Sequence, residues 1–153
     1  MPFKFRLKAV LKHRQFLLNQ AQGALGAATA ARMKIEAQLE QQKEQILSES
    51  TEFEDKQRKG IGADSYCYFK ERIGILEQDL RLCRDKWKKA SELEQTCRQA
   101  MIECDKAVKT LENMETRDKQ MYKLALAREE QKKLDYAAGV IAYRKTNDEG
   151  EKP

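Results

Sequence analysis

Proline is almost missing from this chain of 153 residues: only Pro2 and Pro153 occur, so no position between them is closed to helix on proline grounds. Aromatic residues are only 7% of the sequence while charged residues are 36%, the balance of a solvated surface rather than of the deep core a globular enzyme needs. No stretch approaches the roughly 18 consecutive apolar residues of a membrane span, and the first apolar run is too interrupted by Lys and Arg for a secretory signal. The expectation is a soluble cytoplasmic protein. Residues 1–35 share the acid-free bias of an organelle transit peptide, but the lack of Ser before Ser48 argues against one. His13 is the sole histidine, and Gly23 and Gly26 lack the pattern of a phosphate-binding loop. The four cysteines, Cys67, Cys83, Cys97 and Cys104, form no CxxC pair, which suits neither a disulfide scaffold nor a zinc site. No cofactor, metal or catalytic residue is therefore expected.

What the chain has instead is a sustained 3-4 spacing of apolar residues, the mark of a coiled-coil seam. One seam runs Leu11, Arg14, Leu18, Ala21, Leu25, Ala28, Arg32, Ile35, Leu39, Gln42, Ile46, Glu49 and Phe53. A second runs Tyr66, Phe69, Ile73, Leu76, Leu80, Cys83, Trp87, Ala90, Glu94, Cys97, Met101, Cys104, Val108 and Leu111. Three cysteines and Trp87 thus read as seam packing, with a redox role the alternative for the thiols, while Tyr68 falls off the seam as a surface contact.

The seams are broken once, at residues 59–63, where two glycines allow positive φ and Asp64 or Ser65 can accept from the first free amides of a new helix. A loop this short predicts an all-α fold, an antiparallel two-helix coiled-coil hairpin with Phe53 near Phe69 and Ile46 near Leu76. The expected boundaries are a first helix over about 4–58, a loop over about 59–64 and a longer second helix over about 65–144. These form a single domain, 1–145, monomeric in isolation, followed by a disordered tail over 146–153. The longer helix leaves its last turns without a partner, and there a stripe of Leu124, Ala127, Gln131, Leu134, Ala138 and Ile141 calls for one from outside the chain. Gly23 and Gly26 sit in an alanine-rich stretch where the helices either approach closely or loosen.

Charge is uneven: residues 1–35 hold seven bases and no acid, and residues 117–145 hold eight bases and four acids. A hairpin brings these segments together as a positive open end. Four readings of that end stand: a solvated face, nucleic acid, an anionic membrane surface met by Phe3, Phe5, Leu7, Val10 and Leu11, or an acidic or polar protein socket. His13 reads as a solvated surface residue, since a metal ligand needs companions.

Several segments resemble the FliJ family of flagellar type III export proteins, with YscO-type injectisome proteins as looser relatives. They are the opening Phe3-Lys4-Phe5-Arg6-Leu7 with Val10, Leu11 and Arg14, the Gly60-Ile61 turn with Tyr66 and Phe69 after it, and the ending Arg128, Gln131-Lys132-Lys133-Leu134-Asp135. The resemblance implies a non-enzymatic stalk whose terminal end enters the hexameric export ATPase ring (FliI-like). The rest would reach the membrane export gate (FlhA-like) and export chaperones at the cytoplasmic face of the inner membrane. Carried over by residue, it implies ATPase-ring contacts by Arg14, Arg128, Gln131, Lys132, Lys133, Leu134 and Asp135. It implies gate contacts around Gln38, Gln42, Phe69, Ile73 and Leu76, of which the last three fall on the seam. The alternative is a basic coiled-coil adaptor for an anionic membrane or nucleic acid, with no ATPase partner.

Overall fold

The computed structural model describes residues 2–150. Two helices, α1 (Lys8–Lys59, 52 residues) and α2 (Ala63–Gly150, 88 residues), pack against each other, and no strand occurs among the described residues. The second helix is the longer, as the seam lengths require. Between them Gly60 takes φ 91° and its N–H bonds the Gln57 carbonyl at 3.3 Å, the left-handed glycine ending that closes a helix. The Gly62 carbonyl then accepts from the Tyr66 N–H at 3.0 Å and opens α2. Because α2 starts at Ala63, Asp64 and Ser65 lie inside its first turn rather than at the cap. Asp64 there complements the positive helix end, as Lys56, Arg58 and Lys59 complement the negative end of α1.

The chain divides into two compact units. The turn unit, Phe16–Asp105, has Ala28, Leu39, Phe69 and Cys83 as its buried apolar core. Every seam position from Leu18 to Phe53 and from Phe69 to Cys104 is buried or half-buried, and only Tyr66, 38% exposed, departs. Phe53 stacks on Phe69 with centroids 5.6 Å apart and tilts against Tyr66 at 5.4 Å, so the turn end is closed by an aromatic cluster. Arg72 of α2 reaches Glu49 of α1 at 2.7 Å. Cys83 points its Sγ at the Ile35 carbonyl, 3.9 Å away, and Cys97, Cys104 and Trp87 are half-buried on the same seam. Nothing lies within 4 Å of a Cβ built at Gly23 or Gly26, so no close helix approach depends on these glycines.

The terminal unit combines residues 1–15 with 106–153. Here α1 starts at Lys8 rather than near residue 4. Residues 3–7 form a non-helical lead-in that buries Phe5 and sets Phe3 against Tyr122 at 5.6 Å. The Lys8 N–H to Phe5 carbonyl bond, 3.3 Å, makes the transition into helix. Leu11 and Val108 complete the buried part of this unit. From Lys123 to Gly150 every side chain but that of Val140 is exposed, so among the described residues α2 continues there without an intrachain partner face. It runs six residues past the expected end at 144, with the Thr146 hydroxyl donating back to the Ala142 and Tyr143 carbonyls. The remainder of the expected tail, 151–153, lies outside the described residues.

Candidate functional site

The uncovered segment of α2 carries most of the residues singled out for the ATPase ring. Arg128, Gln131, Lys132 and Asp135 stand at i, i+3, i+4 and i+7 and so share one helix face, all exposed. On it the Gln131 amide donates to the Asp135 carboxylate at 2.9 Å, which orders that part of the face. Lys133 is also exposed, but at about 100° of rotation per residue it lies roughly 150° around the helix from the others. One binding surface cannot take Lys132 and Lys133 equally unless it surrounds the helix. Leu134 and Ile141, 65% and 58% exposed, lie on the apolar side with Leu124. Arg14 is the one member contributed by α1, and it is exposed.

Two large residues in this segment escaped the sequence reading. Tyr136 and Tyr143, 77% and 69% exposed, stand seven apart on the Lys132 side of α2, away from Leu134 and Ile141. Their i, i+7 spacing was the available signal, hidden because a reading that follows one stripe ignores the opposite side. The segment therefore presents apolar surface on two sides, with Lys132 beside the tyrosines, Lys133 between the sides on one flank and Arg128 on the other. The terminal unit as a whole has sixteen Lys and Arg against nine Asp and Glu, net +7, whereas the turn unit has fourteen against sixteen, net −2.

The residues assigned to the gate all belong to the turn unit, but they do not form one surface. Gln38 is exposed. Gln42 sits half-buried on the seam, its Oε1 enclosed without a hydrogen-bond partner. Phe69 is buried against Phe53, and Ile73 and Leu76 are half-buried in the seam, so these three are engaged in holding α2 to α1. The exposed apolar residues on this stretch of α2 are Tyr68, Ile75 and Leu82, at 57%, 54% and 55%. They recur every seven residues one step outside the seam. Tyr68 accepts a hydrogen bond on its hydroxyl from Arg72 at 3.1 Å. That bond first, and then the charge of Glu49, raise the Arg72 guanidinium above its ordinary pKa, and the same two contacts place this cation beside the apolar row.

No group of three or more His, Cys, Asp or Glu side chains converges to hold a metal among the described residues. Likewise no helix of the described chain is long and apolar enough to cross a membrane.

The family model of the flagellar FliJ protein matches residues 3–147. The chain belongs to the FliJ family. It is thus a flagellar export-related protein, of a family of structural components rather than enzymes. No curated protein and no solved structure matches it. Within this FliJ-family chain the match takes in all of α1 and α2 up to residue 147.

Proposed function

We propose that this protein is the stalk of the flagellar export ATPase, entering the hexameric ring with its terminal unit and promoting ring assembly. The observation that carries this reading is the stretch of α2 from Lys123 onward: a preformed helix with no intrachain partner, apolar on two sides and basic between, on a unit of net charge +7. A surrounding ring accounts for the presence of Lys132 and Lys133 on different sides of one helix, which a flat partner does not. Arg14, Arg128, Gln131, Leu134 and Asp135 join them as ring contacts, with Tyr136 and Tyr143 added on the lysine side.

The turn unit is then left to meet the export gate and the export chaperones at the cytoplasmic face of the inner membrane. Its contact surface is the exposed row Tyr68, Ile75 and Leu82 together with Gln38, while Phe69, Ile73 and Leu76 support that row from the seam. The test is to add the protein to purified export ATPase. Hexamer assembly and ATP turnover should rise, and the protein alone should hydrolyse nothing. An adaptor for anionic membranes or nucleic acid would instead bind vesicles or DNA with steep salt dependence and leave the ATPase unaffected. The membrane version loses support from Phe3 and Phe5, whose rings are already packed within the terminal unit.

A further inference from the structure

Coiled-coil seams are built from apolar side chains, yet both seams of the turn unit carry a charge at the level where Arg32 of α1 meets Glu94 of α2. Glu94 is 6% exposed, the one buried charged side chain among the described residues. Its carboxylate takes Arg32 Nε on Oε2 and Arg98 Nη2 on Oε1, the latter at 2.8 Å, and Arg32 in turn bonds Glu36 at 2.7 Å. Two cations and two anions thus satisfy one another around a single seam layer. A buried ion pair adds little net stability, because desolvation offsets the attraction, but leaving one member unpaired is severely destabilising. Its effect is therefore felt through the pairings it penalises.

We propose that the Arg32–Glu94 layer is a register lock that holds the chain as an intramolecular hairpin and disfavours pairing of α2 with α2 of a second copy. Most of the remaining seam is apolar, so that a slip there exchanges one apolar side chain for another at a cost in packing rather than by breaking a buried ion pair. A slip of one heptad either way would replace Arg32 by Leu25 or Leu39 beside Glu94, and would set Arg32 beside Trp87 or Met101. Each slip takes from the buried carboxylate its cross-helix partner and leaves it Arg98 of its own helix alone. In a parallel α2 pair every seam residue faces its own copy, so the apolar levels and the Cys83, Cys97 and Cys104 levels pair well while Glu94 meets Glu94. That layer sets a like-charge penalty against self-pairing at the centre of the seam, in addition to the loss of cover that α1 would suffer if α2 paired with its copy.

The cysteines supply the readout. All four lie in α2 and none in α1, so the hairpin offers no thiol pair, whereas a parallel α2 dimer places three seam thiols opposite their copies. With exposed Cys67 changed to Ser, the otherwise unaltered protein should stay monomeric by light scattering and resist cross-linking by diamide. Arg32→Leu/Glu94→Leu should retain helicity by circular dichroism but populate, increasingly with protein concentration, a dimer that diamide cross-links. Glu94→Arg alone should lose the monomeric hairpin, and the exchanged pair Arg32→Glu/Glu94→Arg should restore it. A leucine pair that stays monomeric and uncross-linked overturns the proposal, as does a dimer that does not cross-link or an exchanged pair that fails to restore the monomer. None of these outcomes depends on the ATPase.

Discussion

Phe69→Ala separates a packing role from a binding role at the turn end of the hairpin. The ring is 7% exposed, stacked on Phe53 at 5.6 Å with an interplanar angle of 21°, with Tyr68 edge-on at 5.8 Å and the Lys56 ammonium 4.6 Å from its centroid. Removing a nearly buried Phe forfeits about 2–3 kcal/mol of transfer free energy, and the lost stacking adds about 0.5–1.5 kcal/mol. The expected total is roughly 3–4 kcal/mol, a large share of the 5–15 kcal/mol that folded domains possess. Urea unfolding followed by helical circular dichroism and by fluorescence of the single Trp87, which is half-buried on the same seam, measures it. Tyr68→Ala, next in sequence but 57% exposed, is the control and should cost about 0.5 kcal/mol or less. If the two variants lost similar stability, or Phe69→Ala lost less than about 1 kcal/mol, the assignment of Phe69 to the seam would be refuted.

At the other unit, Lys132→Glu/Lys133→Glu should leave the fold unchanged, because both side chains are exposed, yet weaken ATPase binding and flatten its salt dependence in a sedimentation titration. Leu134→Asp/Ile141→Asp should weaken the same binding in a largely salt-independent way, since it removes apolar burial at about 25 cal/mol per Å². Should both pairs bind normally while changes near Gly60 abolish binding, the polarity of the stalk is reversed. Gly60→Ala should destabilise the hairpin by about 1 kcal/mol through its positive φ, whereas Gly62→Ala, which has open space and ordinary φ, should be near neutral by thermal denaturation. In a thiol titration Cys67 should react first and Cys83 last, following their exposed and buried positions.

The seams were legible in the sequence because a 3-4 repeat maps onto a buried face: the polar members Arg32, Gln42, Glu49 and Glu94 are at least half-buried where the repeat puts them, and Arg14 and Tyr66, near the seam ends, are the exposed exceptions. Two things were not legible. Periodicity says which side of a helix is buried but not how an apolar residue one step off that side is used: it puts Phe69, Ile73 and Leu76 on the seam, against the gate contacts the resemblance implies for them, and beside them it marks Tyr68 as a surface contact but gives no signal for the exposed Ile75 and Leu82. Helix ends were misplaced for a different reason. Phe3, Phe5 and Leu7 alternate with basic residues, and the contact of Phe3 with Tyr122 of α2 and the burial of Phe5 favour a non-helical lead-in that helix propensity alone does not predict. At the far end Thr146–Asn147–Asp148 are weak helix formers, but with no proline before Pro153 and the Thr146 hydroxyl bonded back into the preceding turn, nothing stops the helix there.

The exposed part of α2 raises a physical question that its composition answers. A helix without a packing partner draws on propensity and on neighbours three and four residues apart, each worth only about 0.2–0.5 kcal/mol. Residues 123–138 are rich in Ala, Leu, Lys, Glu, Gln and Arg, the strongest helix formers, and Gln131 bonds Asp135 across one turn. The same chain of hydrogen bonds is continuous with the packed part of the helix, so no new nucleation is needed. A segment that is already helical when free loses little backbone entropy on docking, at about 1–2 kcal/mol saved for each residue that need not be ordered. In the proposed docking, Leu134, Ile141, Tyr136 and Tyr143 would therefore deliver most of their burial as affinity. The cost of keeping them exposed is limited by the lysines and arginines between them, whose net positive charge opposes association of one copy with another.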